Sequence, residues 1–375
     1  MSEAHVKALS FITFILLGFL IKKKFTSKDE TNGLKKIILL LALPATIFIA
    51  LLQINLNTEL LILPVIALVF NGFLYLITPL LLHVIGITDT ATKNTAKLLL
   101  PSLAPGLSCF PFILEFLGPQ YLGKAAMADL GNKFFVLFVL YIIAVSWYYK
   151  NQTSKSEPIS TKLKALGKVM LLEPVNIFIC IALIFVFSGI HMANLPLFIQ
   201  DNLTRLSGIM TPLVLLFIGL AVVIKKKQIA QIFSLLMLKN GVTLLIIGCL
   251  ITVAPIFDSK DILLILVFGL SACSFWPFAH ISSIATKEID APTHKSTFNV
   301  DFALSILALS LPLSVLLILS IFTAGNTFTK APNILIFGCI ILSLGLIVPA
   351  FNILKKGKTL NASFSKLANT LVKNR

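Results

Sequence analysis

Eleven apolar stretches, each close to the length of a membrane span, leave this chain few ways to fold: residues 7–22, 34–53, 60–83, 96–118, 124–149, 170–190, 206–224, 237–256, 261–286, 298–322 and 333–354. About 20 helical residues cross a hydrocarbon core roughly 30 Å thick. In lipid every backbone N–H and C=O must be satisfied within the protein, which favours helices over open strands. The expected fold class is therefore an all-α polytopic membrane protein. Charged residues supply only 12% of the chain against 57% hydrophobic, with a mean hydropathy of +0.98. A soluble domain carries about 25% charge. A net charge of +16 could suit nucleic acid, but the lysines gather in alternate loops, so nucleic acid is not an expected partner.

An excess of Lys and Arg marks cytoplasmic loops. Lys22, Lys23, Lys24, Lys28, Lys35 and Lys36 follow the first span, Lys150 to Lys168 follow the fifth, and Lys225–Lys227 follow the seventh. The turn Gln53–Glu59 after the second span has no lysine, and the loop after the sixth has only Arg205. This pattern places the N-terminus outside and the basic tail, residues 355–375, in the cytoplasm. There anionic lipid is a partner for the tail, a merely solvated tail being the alternative. The first span lacks a cleavage-site pattern and reads as an uncleaved helix. With no evident organellar targeting segment, the expected location is a bacterial inner (plasma) membrane.

Two spans are internally broken. Lys97 to Gly118 carries Pro101, Pro105 and Pro111, with Gly106 and Ser108 among them, so an unbroken helix through Ser102–Pro111 is not expected. Leu270 to Pro277 interrupts the ninth span in the same way. Broken backbone at membrane depth survives only inside protein or beside a wet cavity, and paired breaks point to a transporter binding site.

The breaks also belong to a repeat. Pro44 precedes Pro111 by 67 positions, and Pro212 precedes Pro277 by 65. A carboxylate follows each break at the start of the next span, Asp129 and Asp301. The copies are five spans each, and an odd number inverts the second copy in the membrane. The expected organisation is a first inverted repeat over 1–149, a cytoplasmic linker over 150–168, a second repeat over 169–322, an extra eleventh span within 323–354 and the tail 355–375. Chance placement of prolines is the competing account.

Several of these residues together resemble the auxin efflux carrier family: Lys22–Lys24 after a span containing Gly18, Leu43-Pro44, Gly106-Leu-Ser-Cys-Phe-Pro111, Leu117-Gly118 and Ala125 to Asp129. Ser271–Pro277, Ile284-Ala285 and Leu311-Pro312-Leu313 are similar to its second-half pattern, so that the resemblance runs over residues 7–322. It implies crossed, broken fourth and ninth helices, a fold shared with bile-acid/sodium symporters. It also implies a scaffold of spans 1, 2, 6 and 7 holding a moving domain of spans 3–5 and 8–10. The implied substrates are small organic anions, auxins in plants and dicarboxylates in bacteria. Two positions depart from the pattern: Ala104 stands where many members have Asn, and Trp276 where many have Met. The eleventh span is an addition.

The expected substrate-binding residues are Asn71, Ala104, Pro105, Gly106, Ser108, Pro111, Ser271, Ser274 and Pro277. Half-helix N-termini at the crossing would offer amides to an anion. Asn71 has a plainer reading as a tie between helices. Asp129, His280 and Asp301 are coupling or gating candidates, because ionisable groups within a membrane are costly. Each has a plainer reading: Asp129 as an i,i+4 partner of Lys133, His280 as a hydrogen-bonded structural residue, and Asp301 as part of a capped helix entry. Glu173-Pro174 and Lys239-Asn240-Gly241 read as points where spans meet the interface. Of the five cysteines none forms a C-x-x-C pair, so neither metal nor disulfide is expected. No cofactor is expected beyond a coupling Na⁺ or H⁺.

Two functions follow. The first is a secondary active transporter of a small mono- or dicarboxylate, working by an elevator-like shift, with a homodimer as a compatible assembly. The second is a transporter-like sensor that binds without moving its ligand, motivated by Ala104 and Trp276. An enzyme is not expected, since no H-E-x-x-H pair, G-x-S-x-G elbow or nucleotide loop is present.

Overall fold

A computed structural model describes residues 3–25, 27–53, 58–151, 164, 167–168, 170–221, 228–254, 258–290 and 296–351. Lys225–Lys227, most of the linker 150–168 and the tail 355–375 lie outside the described residues, as does most of the turn after the second span. Among the described residues the ordered elements are helices, and eight of them are long and apolar enough to cross a membrane.

In chain order, α1 (Glu3–Lys24), α2 (Asp29–Leu52) and α3 (Leu60–Ile85) are continuous. The fourth apolar stretch divides into α4 (Thr90–Leu99), a single turn at Pro105–Ser108, and α5 (Phe110–Phe116). Next come α6 (Pro119–Asn151), the shorter α7 (Pro174–Phe187), α8 (Leu197–Ala221) and α9 (Ile229–Val253). The ninth stretch divides into α10 (Ser259–Gly269) and α11 (Phe275–Asp290). Two long helices complete the chain, α12 (Val300–Ala324) and α13 (Ala331–Phe351). Both interruptions therefore fall inside the stretches whose prolines demanded them.

The prolines of the two breaks sit where a missing N–H costs least. Pro105 and Pro111 occupy first-turn positions of the short helices they open, and Pro277 lies in the first turn of α11. Pro44 follows a wide, i→i+5 turn at Ile38–Ala42, which absorbs the mismatch inside α2. A second wide turn interrupts α6 at Phe135–Val139.

Packing sorts the helices into two groups. α1 lies along the C-terminal half of α8, and α2 packs on α7 and on α8. In the other group α3 packs on α6 and α9, while α12 touches α4, α9, α10 and α11. The groups meet where α2 crosses α6, α1 reaches α12 and α8 reaches α5.

Close approach within the first group depends on two glycines. A Cβ on Gly18 would fall 2.2 Å from the Leu216 carbonyl oxygen, and one on Gly219 would fall 2.1 Å from that of Ile15. The backbones of α1 and α8 thus touch, an arrangement that only small residues permit in membrane helices. The eleventh span, α13, packs on α9 in a similar way. A Cβ on Gly241 would lie 2.7 Å from the Leu342 nitrogen, one on Gly345 would lie 2.8 Å from the Leu238 nitrogen, and the Ser234 hydroxyl donates to the Gly345 carbonyl.

Candidate functional site

The two interruptions meet in the middle of the second group. The Ala104 N–H donates to the Ala272 carbonyl at 2.8 Å, one peptide bond of the first break against one of the second. Two serines of the first break reach across as well. Ser108 Oγ accepts the Ala272 N–H at 3.0 Å, and Ser102 Oγ accepts the Ser274 N–H at 3.0 Å. Each hydroxyl also donates back into its own segment, Ser108 to the Ala104 carbonyl at 2.8 Å and Ser102 to the Leu99 carbonyl at 2.6 Å. A hydroxyl donates once and accepts twice, so each serine ties its own break and holds the opposite one.

Neighbouring helices satisfy the rest of the freed backbone. At the first break Asn132 of α6 accepts the Leu103 N–H at 3.1 Å and donates to the Leu103 carbonyl at 2.9 Å. The Asn71 amide of α3 donates to Asn132 Oδ1 at 2.9 Å, and Asn132 donates to Asp129 Oδ1 at 2.8 Å. At the second break Ser310 Oγ accepts the Cys273 N–H at 3.3 Å, and Ser314 donates to the Leu270 carbonyl. Lys239 Nζ donates to the Ser271 carbonyl at 3.1 Å, and Ser274 Oγ accepts the Trp276 N–H at 3.3 Å. The amides of Leu103, Ala104, Ala272, Cys273, Ser274 and Trp276 are all engaged by protein. An anion at the crossing would therefore have to exchange existing bonds.

Most residues singled out in the sequence converge here. Asn71, Ala104, Ser108, Ser271 and Ser274 line the meeting point, and Pro105, Pro111 and Pro277 shape the backbone around it. Gly106 faces α2, where a Cβ would meet the Leu43 side chain at 3.1 Å. Trp276 is half-buried at the start of α11, and Lys35 of α2 holds its ammonium 4.5 Å from the centre of the Phe275 ring.

The three coupling candidates separate. Asp129 is buried and forms its i,i+4 pair with Lys133 at 3.7 Å, besides its link to Asn132. Lys133, also buried, goes on to Glu173 at 3.2 Å and to Asn176 Oδ1 at 3.0 Å, so this ion pair bridges α6 to the head of α7. Glu173 is thus engaged by a buried lysine instead of simply marking an interface. His280 lies within α11, past the break. Its Nε2 is 3.0 Å from the Val136 carbonyl in the wide turn of α6, and its ring meets Tyr141 edge-on at 5.2 Å. Asp301 is exposed on the first turn of α12 and does not reach the breaks; the cap of that helix is Asn299, whose side chain accepts the Phe302 N–H at 3.0 Å.

Sequence reasoning missed Asn132, Ser102, Ser310 and Ser314, and it misplaced Lys239. The expectation that Lys239-Asn240-Gly241 marks where the eighth span leaves the cytoplasmic interface meets side chains enclosed by protein: Lys239 is 2% exposed and Asn240 4%. The helix starts at Ile229, so position 239 is interior. A polar residue inside a long apolar run was the available signal for Asn132 and Lys239.

An apolar crevice of about 480 Å³ opens between α3, α6, α9 and α10, lined among others by Ile66, Phe70, Ala128, Ile247 and Phe268. Its walls suit an acyl chain, and Lys124 in its lining is already paired with Asp261. Among the described residues no group of His, Cys, Asp and Glu has the makings of a metal site.

No family model matches the chain. The chain is similar to a protein of Methanocaldococcus jannaschii named as an uncharacterized transporter, with 26% identity over 221 residues that cover 57% of this chain and 67% of that protein.

Proposed function

We propose that this integral membrane protein is a secondary active transporter of a small organic anion, a mono- or dicarboxylate, with its site where the two broken helices meet. The observation that carries the reading is the Ala104–Ala272 backbone bond at 2.8 Å, which brings the two interruptions of an otherwise apolar bundle into direct contact. Broken helices at membrane depth are the usual place for substrate and coupling ions in such carriers. The likeness to a protein named as a transporter supports the general class.

The mechanism we infer is an elevator. The group of α1, α2, α7 and α8 is the scaffold, and the group of α3–α6 and α9–α12 moves as one body carrying both breaks. The seating of α1 on α8, of α2 on α7 and of α3 on α6 supports this division, and a shift would have to part α2 from α6 and Lys133 from Glu173. The inverted five-span repeat, with α13 outside it, belongs to the same reading. Substrate would be held by Ser108, Ser274 and Asn71 once some of the present hydrogen bonds are exchanged. Symport with Na⁺ or H⁺ supplies the driving force, and no step of an enzymatic reaction is assigned.

The test is thermal unfolding of the purified protein against a panel of mono- and dicarboxylates, followed by uptake into sealed vesicles. A ligand that binds only the native state raises apparent stability. Selective stabilisation by one acid together with flux of that acid is the expected outcome. The engaged amides at the crossing and the half-buried Trp276 favour one second reading, a sensor of the same build. Stabilisation without flux would select it, and indifference to every acid would remove the organic-anion assignment.

A further inference from the structure

We propose that the apolar crevice between α3, α6, α9 and α10 seats one phospholipid, with an acyl chain in the crevice and a phosphoethanolamine headgroup on the polar ledge at its mouth. The site is separate from the crossing, and the inference does not depend on what the crossing binds.

The crevice has the depth of one leaflet. On α3 its lining runs from Ile62 to Phe73, eleven positions that rise roughly 16 Å at about 1.5 Å each. Half of a hydrocarbon core about 30 Å thick is nearly the same length. The other walls lie at the same end of the bundle: Ala125 and Ala128 in the early turns of α6, and Ile246 to Leu250 shortly before α9 ends at Val253. The far end is closed where α10 stops. A Cβ on Gly269 would lie 3.0 Å from the Thr243 methyl group and 3.4 Å from the Phe70 ring. A helix from a second copy of the chain would run the whole span, so a groove that closes half-way fits an acyl chain instead. Its volume of about 480 Å³ lies within the ordinary range for ligand pockets, roughly 300–1,000 Å³.

The tail alone gives no preference among lipids, because the surrounding chains are as apolar as the crevice. Selectivity must come from the mouth, where four charges surround one aromatic ring. Lys124, the only charged residue of the lining, pairs with Asp261 at 2.6 Å. Tyr121, one turn earlier on α6, donates its hydroxyl to Asp258 Oδ2 at 3.3 Å. Lys260 holds its ammonium 5.7 Å from the centre of the same ring. Both Asp258 and Lys260 are exposed, and among the described residues Lys260 pairs with no carboxylate and Asp258 with no lysine. The ledge therefore presents one cation and one carboxylate without ionic partners, both in reach of Tyr121. A phosphate answers the first and a primary ammonium, donating N–H, answers the second. Choline has no N–H to donate, and a glycerol headgroup brings no cation to Asp258.

The experiment is native mass spectrometry of the full-length chain, released from detergent micelles that hold equal amounts of phosphatidylethanolamine, phosphatidylcholine and phosphatidylglycerol with identical acyl chains. The wild type is expected to retain one phosphatidylethanolamine, about tenfold in preference to either competitor, the worth of one charge-assisted hydrogen bond. Asp258→Ala is expected to bring phosphatidylethanolamine down to the level of phosphatidylcholine, and Lys260→Gln to lower retention of all three. Ala128→Phe, which fills the crevice, is expected to retain none. A wild type that keeps no lipid, keeps the three alike or prefers phosphatidylglycerol would overturn the proposal, as would a second copy of the chain in place of lipid. So would wild-type retention and preference in any of the three variants. If Ala128→Phe does not insert, the exposed Asp258 and Lys260 variants decide alone. No arm uses a carboxylate substrate, so failure of the transporter reading would leave this result standing.

Discussion

The two breaks face the same difficulty, peptide groups stripped of helical partners away from water, and they resolve it with different chemistry. At the first, one carboxamide is enough: Asn132 both accepts from and donates to Leu103, completing a whole residue's backbone from a single side chain. At the second, three side chains from two helices share the task, Ser310 and Ser314 from α12 and Lys239 from α9. A carboxamide holds donor and acceptor in one rigid plane, whereas hydroxyls and an ammonium each serve one backbone group from their own direction. Neighbouring helices consequently strap the first break at one residue, beside its own Ser102 and Ser108, and the second at several. Concentrating the bonds makes a break depend on one residue; distributing them makes it tolerant.

That contrast can be broken by substitution. The largest effect is expected from Asn132→Leu, which removes both bonds to Leu103 and the links to Asn71 and Asp129. With roughly 1–3 kcal/mol for each buried group left unpaired, the loss should be on the order of 3–5 kcal/mol, read as a large fall in melting temperature. Next come Ser102→Ala and Ser108→Ala, each of which strands one amide of the opposite break. About 1–3 kcal/mol is expected for each, and a double-mutant cycle should show coupling, because both serines hold the same crossing. Ser310→Ala should cost about 1 kcal/mol, since it removes one long bond at a break with other supports. Equal losses for Asn132→Leu and Ser310→Ala would erase the distinction between the breaks. The smallest effect belongs to Asp301→Asn. Its exposed side chain lies off the crossing, so stability should move by less than about 0.5 kcal/mol; a loss of vesicle uptake from that variant would support its reading as a gate.

The breaks themselves were legible because proline leaves a mark in any sequence, and Pro105, Pro111 and Pro277 lie in the first turns of the segments that follow them. Which side chains would repair the breaks was not legible. Asn132 and Lys239 stand out as polar residues in apolar runs, but a run does not say which face of a helix points inward or what lies across from it. Lys239 reads as interfacial because the apolar run of the eighth span opens only at 237; the helix in fact begins at Ile229, and Gly241 is needed where α13 presses against α9. His280 illustrates a different limit. Its partner, the Val136 carbonyl, lies in the wide turn of α6, and such a turn has no sequence signature.

The glycine-lined contact between α9 and α13 has a practical corollary. Helices whose backbones nearly touch cannot slide independently, so α13 is bolted to α9 and through it to the second group. Once the likewise exposed Cys180 and Cys249 are replaced, Cys339 on that helix is an attachment point for a spectroscopic label. On the elevator reading proposed above, a distance recorded from it to a label on α1 would change between states, without a probe being placed anywhere near the crossing.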